Sequence, residues 1–223
     1  MRSCLRSFTM LVIFGIMLAA CGSDDRERPI SNRLIDVLKS VRAQKQAKGQ
    51  PQAALQITRE QVDATEFSLL RLTVQKTGTV ATAGLFEINQ DTLSYQLATS
   101  QAIYLKGGFL TGTRGLGHDL MTAAVPSSVA AAVKADTYER VHRYLTADNK
   151  LSVQRYRCTM SLGGPTKLTQ LDRSYNVRIA KETCTGEGRA FNNSYAMAAG
   201  GWIWQSSQWL GPFAGQVKIE QLK

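Results

Sequence analysis

Few residues of this chain have the types and spacing that enzyme catalysis requires. The sequence holds two histidines, His118 and His142, and no Gly-x-Ser-x-Gly pattern that would mark a nucleophilic serine. His118 stands beside Asp119 on a glycine-rich stretch, where such a pair more often caps a loop or faces solvent than forms a catalytic dyad. The sequence therefore predicts a protein that catalyses no reaction.

Two further chemistries lack their required pattern. The glycines of residues 112–117 are not followed by the Lys-Ser/Thr of a phosphate-binding loop, which favours a structural turn. A glycoside hydrolase needs two carboxylates across a cleft, and nothing in the sequence pairs the available acids, so a polysaccharide-acting hydrolase stays a distant alternative. Neither a cofactor nor a metal site is predicted. The candidate acids are Asp119, Asp172, Glu182 and Glu187.

The first 20 residues have the composition of a secretory signal peptide. Two arginines precede an apolar run over residues 8–20, which is shorter than the roughly 20 residues that a bilayer-spanning helix needs. Residues 18–21 read Leu-Ala-Ala-Cys and resemble the lipobox of bacterial lipoproteins, in which the cysteine is acylated and becomes the new N-terminus. The alternative is an ordinary signal peptide that ends near a cysteine. The lipobox predicts that Cys21 is a lipid anchor, and two or more acyl chains hold a protein stably on a membrane.

The segment after the anchor is short and polar. Residues 21–29 predict a tether between the lipid and the folded domain. Gly22, rather than aspartate, follows Cys21, and by resemblance to proteobacterial lipoproteins this favours delivery to the outer membrane. The predicted location is therefore the periplasmic face of the outer membrane, with the membrane as one partner.

Two cysteines remain in the mature chain, Cys158 and Cys184. An exported protein folds in an oxidising compartment, so this pair predicts one disulfide. A metal site is the alternative, but neither cysteine has a second ligand at Cys-x-x-Cys or Cys-x-His spacing.

Three residues are candidates for ligand binding. Trp202 and Trp204 alternate along a predicted strand, so they share one face. On the solvent side they would stack on sugar rings, and on the core side they would only pack. Arg114 has two candidate roles, to hold a phosphate or carboxylate of a ligand or to bind the carbonyls of its own loop.

The chain is basic, with a formal net charge of +10. Removal of the signal takes Arg2 and Arg6 with it and leaves about +8 on the mature chain, a charge that suits phospholipid headgroups, phosphates or acidic sugars. General solubility is the alternative reading of this charge. Nucleic acid is not predicted as a partner, because the chain is exported and lacks a basic run interleaved with aromatics.

The mature domain reads as mainly β. An apolar stripe predicts an N-terminal helix over residues 30–41, and short helices are predicted at 118–124 and 127–135. Elsewhere, short alternating runs are separated by turn signals about every ten residues, which indicates an antiparallel meander. No composition shift divides the chain, so residues 30–223 form one predicted domain. The predicted strands are 67–74, 79–88, 93–98, 102–105, 138–146, 151–162, 175–179 and 183–189.

One glycine-rich segment carries a family resemblance. Residues 112–120 read Gly-Thr-Arg-Gly-Leu-Gly-His-Asp-Leu and follow the strand Ile-Tyr-Leu-Lys-Gly-Gly-Phe-Leu. Together they resemble the signature of the GfcB/YjbF family of proteobacterial lipoproteins. The resemblance spans about residues 34–223. Its later part consists of Trp202, Trp204, Trp209, Pro212, Gly215 and residues 217–223.

This resemblance implies a pathway rather than a mechanism. Family members are encoded with systems that make group 4 capsule or exopolysaccharide, which implies a non-catalytic role in assembly or export, with export proteins or the polysaccharide itself as partners. It also implies a large antiparallel sheet curled into a half-barrel with a few short helices. No catalytic residue is carried over. The alternative function is a carrier or sensor that binds glycan or lipid in the concave sheet.

Overall fold

The computed structural model describes residues 57–116, 118–146, 150–186 and 188–223. The predicted signal peptide, Cys21, the tether and the helix over residues 30–41 lie outside these ranges. In the described part neither helix is long and apolar enough to cross a bilayer.

Twelve strands and two short helices follow one another along the described chain. In β4 and β8, for example, side chains alternate between buried and more exposed positions, which is the pattern of an extended strand with one face in the core. Their order is α1 (Arg59–Asp63), β1 (Leu69–Val74), β2 (Thr79–Asn89), β3 (Thr92–Leu97), β4 (Ala102–Lys106), β5 (Phe109–Arg114), β6 (Leu120–Ala124), α2 (Val129–Ala135), β7 (Thr137–Leu145), β8 (Leu151–Gln170), β9 (Arg173–Gly186), β10 (Arg189–Met197), β11 (Ile203–Gly211) and β12 (Gly215–Gln221).

All twelve strands belong to one antiparallel sheet that is nearly closed into a barrel. The sheet order is β5-β4-β3-β2-β1-β12-β11-β10-β9-β8-β7-β6. Each strand therefore pairs with its neighbours in sequence except β5 and β6, which are the two edges of the sheet, and β12 returns to pair with β1. In that last pairing Leu72 lies opposite Ile219. The predicted antiparallel, mainly β meander is confirmed, and the sheet curls further than a half-barrel.

The strand directions define two ends of the barrel. The end where the described chain begins and finishes is called the terminal end here, and it also carries α2. The opposite end, called the loop end, holds the connections β1–β2, β3–β4, β5–β6, β7–β8, β9–β10 and β11–β12, because successive strands alternate in direction.

The main core lies in the lumen of the barrel. Aliphatic side chains from strands on all sides, such as Leu72, Ile103, Leu120 and Ile219, are buried against one another there. A second cluster seals the terminal end, where Val129 of α2 packs against residues of β5, β8 and β10. Burial of these side chains contributes about 1.5–3 kcal/mol each relative to exposure.

Gly107 and Gly108 explain how α2 reaches this position. Both have positive φ values, of 54° and 91°, which other residues rarely adopt. A side chain at Gly107 would clash with the backbone of Ser127, and one at Gly108 would meet Ile203. Glycine at both positions is thus required by the positive φ values and by the close approach of neighbouring residues.

One predicted helix is wrong and one is confirmed. Residues 120–124 form β6 rather than part of a helix, because Leu120 pairs with Tyr144 and Ala124 with Val141 of β7. Pairing with β7 buries Leu120 and Ala123, and this tertiary contact overrides the helix propensity of an alanine-rich segment. The helix predicted at 127–135 is present as α2, capped by the Ser128 side chain.

Two other features differ from the sequence prediction. The separate strands at 175–179 and 183–189 are one strand, β9, which ends at Gly186. Helix α1 was missed, although its capping box is visible in the sequence: the Thr58 side chain and the Gln61 side chain each bind the other's backbone N–H. Val62 of α1 packs against Leu69 and Leu222 at the terminal end.

Candidate functional site

A charged pair lies in the lumen among the aliphatic side chains. Arg140 Nη1 is 2.8 Å from Glu182 Oε2, and the two side chains are 1% and 0% exposed. The Arg140 guanidinium also lies over the ring of Phe109, 5.3 Å from its centroid. Arg140 belongs to β7 and Phe109 to β5, so this cation–π contact joins strands that lie near opposite edges of the sheet.

The carboxylate of Glu182 is saturated with donors. The side chains of Tyr138, Asn193 and Tyr195 donate to it at 2.6, 2.6 and 2.7 Å, in addition to Arg140. Burial opposes the ionised form, but the charge of Arg140 and these hydrogen bonds outweigh it and lower the pKa of Glu182 below its usual value. A carboxylate held ionised and enclosed in this way fixes the fold and is not placed to act as a general acid.

Gln208 extends the polar cluster across the lumen. Its side chain accepts a hydrogen bond from the Leu110 backbone at 2.8 Å and donates to the Gly108 carbonyl at 2.9 Å. Since Gln208 belongs to β11, these bonds tie the far wall of the barrel to β5. Tyr195 contacts both Gln208 and Glu182, which makes one continuous network.

A sequence signal for this cluster existed and was missed. Tyr138, Arg140, His142 and Tyr144 occupy every second position of β7, and all four point into the barrel, as the buried contacts show. A charged residue inside such an alternating set marks a buried partner of opposite charge. Glu182 follows Ala180 and precedes Cys184 in the same manner on β9.

The motif of residues 112–120 forms the seam where β5 and β6 meet. Asp119 accepts hydrogen bonds from the backbone of Gly115 and Leu116 at 2.7 and 3.0 Å, and from the Thr113 hydroxyl at 2.9 Å. The same Thr113 oxygen accepts from the Leu120 backbone N–H. These contacts hold the two edge strands together through a side chain and a tight loop.

His118 and Asp119 therefore take part in different contacts. The Asp119 carboxylate binds the loop, whereas the His118 ring stacks on Phe213 with centroids 3.4 Å apart. Asp172 lies in the β8–β9 connection at the terminal end, and Glu182 is in the lumen. The structure does not bring these three candidate acids together, and Glu187 lies outside the described residues.

Arg114 contacts the carbonyls of its own motif. Its guanidinium donates to Thr113 at 2.6 Å and to Leu120 and Met121 at 3.4 Å, and it lies over the ring of Tyr104. These bonds strengthen the seam. Binding of an anionic ligand by Arg114 stays a prediction.

Trp202 and Trp204 lie on an aromatic surface near the terminal end. Trp202 is 46% exposed and precedes β11, while Trp204 is half-buried and stacks on Tyr175 with centroids 3.9 Å apart. The two indoles meet edge to face at 6.2 Å. Trp209 instead stacks on Phe191 next to the disulfide. The role of Trp202 and Trp204 in ligand binding stays a prediction.

Cys158 and Cys184 are directly opposite each other in the β8–β9 pair and are joined by a disulfide. The two sulfurs and a carboxylate oxygen of Glu182 lie within 4.8 Å of one another. Metal binding requires the free thiolates, which the disulfide removes, so this group is a covalent cross-link between strands.

Two adjoining cavities open at the loop end, and neither was predicted from the sequence. One, of about 290 Å³, lies between the β5–β6, β7–β8 and β11–β12 connections. The other, of about 330 Å³, lies in the lumen between β1, β2, β3, β4, β5, β11 and β12. Leu116 and Leu210 line both cavities, so the two spaces meet at these side chains.

His142 is a buried base between the polar cluster and the cavities. Its Nδ1 is 3.1 Å from the Tyr144 hydroxyl, and its ring packs on Tyr156 and Phe191. Burial, together with the charge of Arg140, lowers the pKa of His142 from 6.5 to about 3. The imidazole is therefore neutral in the folded protein at neutral pH.

Comparisons with known proteins agree on one kind of protein. A family model described as group 4 capsule polysaccharide lipoprotein gfcB, YjbF matches residues 31–222. A solved structure of the hypothetical lipoprotein YmcC from Escherichia coli (K12) resembles this barrel with a TM-score of 0.67 and 20% identity, covering 75% of this chain and 89% of that one. At that identity the likeness shows the fold. None of the curated proteins matches.

The low pKa of His142 predicts a pH-dependent stability. As pH falls below about 6.5, His142 becomes protonated in the unfolded chain but stays neutral in the folded one. The free energy of unfolding therefore decreases by about 2 kcal/mol between pH 7 and pH 5. This is to be measured by urea unfolding at both pH values. Glu182 does not contribute in this window, because its stabilisation is lost only as pH falls below 4.5, its ordinary value.

A matched pair of variants isolates the effect. His142→Phe removes the titrating group and should flatten most of the pH dependence, while His118→Phe, at the exposed histidine of the seam, should keep it. An equal pH dependence in wild type and His142→Phe would show that His142 takes up its proton at the same pH in the folded and unfolded chains, which would contradict its lowered pKa.

Proposed function

We propose, because the chain belongs to the GfcB/YjbF family of group 4 capsule polysaccharide lipoproteins, that it assists the assembly or export of a capsule or exopolysaccharide without catalysing a reaction. The family match over residues 31–222 is the observation that carries the proposal. The proposed location is the periplasmic face of the outer membrane, with the lipid on Cys21 as anchor.

The sequence around Cys21 supports the proposed location. A basic start, a short apolar run and Leu-Ala-Ala-Cys give the order of features that lipid attachment requires, and Gly22 favours the outer membrane. Two or three acyl chains on one residue hold a protein on a membrane where one chain gives only marginal binding.

The contacts of the described acids support a role without catalysis. Glu182 is enclosed by four donors, and Asp119 is bound to loop amides and a hydroxyl. A hydrolase would need two acids facing one cleft at a fixed separation. The proposed partners are polysaccharide export proteins or the polysaccharide itself.

Deletion of the gene in its native host tests the pathway and the anchor together. We expect surface and secreted polysaccharide, quantified by uronic acid or total sugar, to fall in the deletion strain and to recover with the wild-type chain. Cys21→Ala should not restore it, because the chain is then exported without a lipid. Unchanged polysaccharide in the deletion strain would refute the capsule role, and full recovery with Cys21→Ala would refute the need for the anchor.

A second candidate function is that of a carrier or sensor that binds a glycan or a lipid with the curved sheet. The exposed side chain of Trp202, which contacts Trp204 and through it the ring of Tyr175, favours it, since aromatic faces stack on sugar rings. A hydrolase acting on the polysaccharide remains a distant third.

Replacement of Trp202 by alanine tests glycan binding. If the aromatic surface is a glycan site, Trp202→Ala lowers affinity for the host's own purified polysaccharide by about tenfold, measured by isothermal titration calorimetry. Phe86→Ala, at another exposed aromatic on β2, serves as the control and should keep the affinity. Unchanged binding by a normally folded Trp202→Ala chain would show that this surface only packs.

A further inference from the structure

Several large apolar side chains are exposed to solvent at the loop end of the barrel. Phe213 is 61% and Leu151 58% exposed, and Leu116, Leu145 and Val153 are each more than a third exposed. Leu145 and Leu151 are opposite each other at the end of the β7–β8 pair, and Phe213 and Leu116 line the nearby cavity. Large exposed apolar side chains gathered in one place mark a binding surface. These five residues are called the apolar rim.

Behind the apolar rim lie the two cavities already described. The lumen cavity is bounded mainly by aliphatic side chains, including Leu72, Ala81, Val217 and Ile219. An apolar cavity of this size offers few partners to water and is the kind of space that takes an apolar ligand.

Polar side chains line both cavities, with Thr79, Thr99, Gln101 and Thr113 at the lumen cavity, but more polar surface faces the outer one. His118, Thr146, Ser152 and Gln154 line it beside the apolar residues, and the Lys76 amine lies 3.5 Å from the Phe213 carbonyl. A ligand that reached both cavities would therefore place its apolar part in the lumen and its polar part at the loop end. This division matches an amphiphile with a long alkyl chain.

We infer that the loop end of the barrel binds one acyl chain of a lipid, with the chain in the two cavities and its head group outside the apolar rim. The inference rests on the carrier function proposed above and names its ligand as aliphatic. The acyl chain has two sources, a free fatty acid in solution or a phospholipid drawn from a membrane.

The test uses residues 21–223 with Cys21→Ser, which removes the protein's own lipid from the assay. Fluorescence of cis-parinaric acid should rise on binding and fall when octanoate, decanoate or dodecanoate displaces it. Each added methylene should tighten binding by about fourfold while it still enters the cavities. Absence of parinaric acid binding, or equal affinity for octanoate and dodecanoate, would overturn the inference.

Cavity-filling variants locate the site. Ala81→Phe places a ring in the lumen cavity, and Ala214→Trp fills the outer one. Each should weaken dodecanoate binding by about tenfold or more, the worth of roughly two methylenes, while circular dichroism and thermal unfolding show an intact fold. Ala190→Phe, on the exposed face of β10, is the matched control and should bind as wild type. Wild-type affinity in a folded Ala81→Phe chain would place the ligand elsewhere.

The apolar rim distinguishes the two sources. If the lipid comes from a membrane, the double variant Leu151→Ser/Val153→Ser, at two residues of the apolar rim that line neither cavity, should extract less phospholipid from phosphatidylethanolamine–phosphatidylglycerol vesicles but bind dodecanoate normally. If wild type binds dodecanoate and extracts no phospholipid, the source is free fatty acid. Loss of polysaccharide on gene deletion, combined with no acyl binding, would refute this inference and leave the capsule role standing.

Discussion

The closure of the sheet is the constraint on which the rest of this structure depends. A twelve-stranded sheet left open would present two edges of unpaired backbone groups and no enclosed lumen. Here β5 and β6 follow each other in sequence and lie at opposite edges of the sheet order. Asp119 and Thr113 bring them together by binding the backbone of the loop and of β6, and Arg114 adds bonds to the β6 carbonyls.

This arrangement gives a physical meaning to the glycine-rich motif. Gly115 has φ of +75°, so a side chain would strain the turn that presents its amide to Asp119. At Gly112 a side chain would press on the ring of Tyr104. The contacts of the motif that resembles the family signature thus hold the two edge strands of the sheet, β5 and β6, together.

The lumen is divided between a polar and an apolar part. The Arg140–Glu182 pair and its hydrogen bonds occupy the part beside α2 and the disulfide. Removal of one partner would leave an uncompensated charge in a low-dielectric interior, which typically costs about 3–5 kcal/mol. The loop-end part is lined by aliphatic residues and contains the cavities, so the network stabilises the barrel without filling its mouth.

The sequence predicted the strands better than their assembly. Alternation over residues 79–88 and 138–146 is local, and the structure has strands at both places. Residues 120–124 look helical because alanine propensity is also local, whereas the contact that makes them a strand comes from Tyr144 and its neighbours. For the same reason, local alternation did not show that the predicted strands at 175–179 and 183–189 belong to one strand, β9.

The candidate sites show the same difference between local features, which the sequence reveals, and contacts between distant residues, which it does not. The inward position of Arg140 was readable from strand alternation, yet its partner Glu182 lies 42 residues away and two strands across the sheet. The cavities are harder to predict, because the empty space in the lumen depends on how closely side chains from seven strands approach one another. Trp202 and Trp204 were visible as residue types, but only their stacking on Tyr175 shows what supports them.

The capsule role and the acyl-binding lumen, both proposed above, together predict that polysaccharide production needs an open lumen, and one complementation measurement tests this most directly. Ala81→Phe and Ala190→Phe would be expressed in the deletion host at equal, immunoblot-matched levels and surface polysaccharide quantified. The account predicts that Ala190→Phe restores the polysaccharide and that Ala81→Phe does not, although both chains are folded and lipidated. Full restoration by Ala81→Phe would contradict this prediction and would indicate that the outer surface of the barrel carries the function.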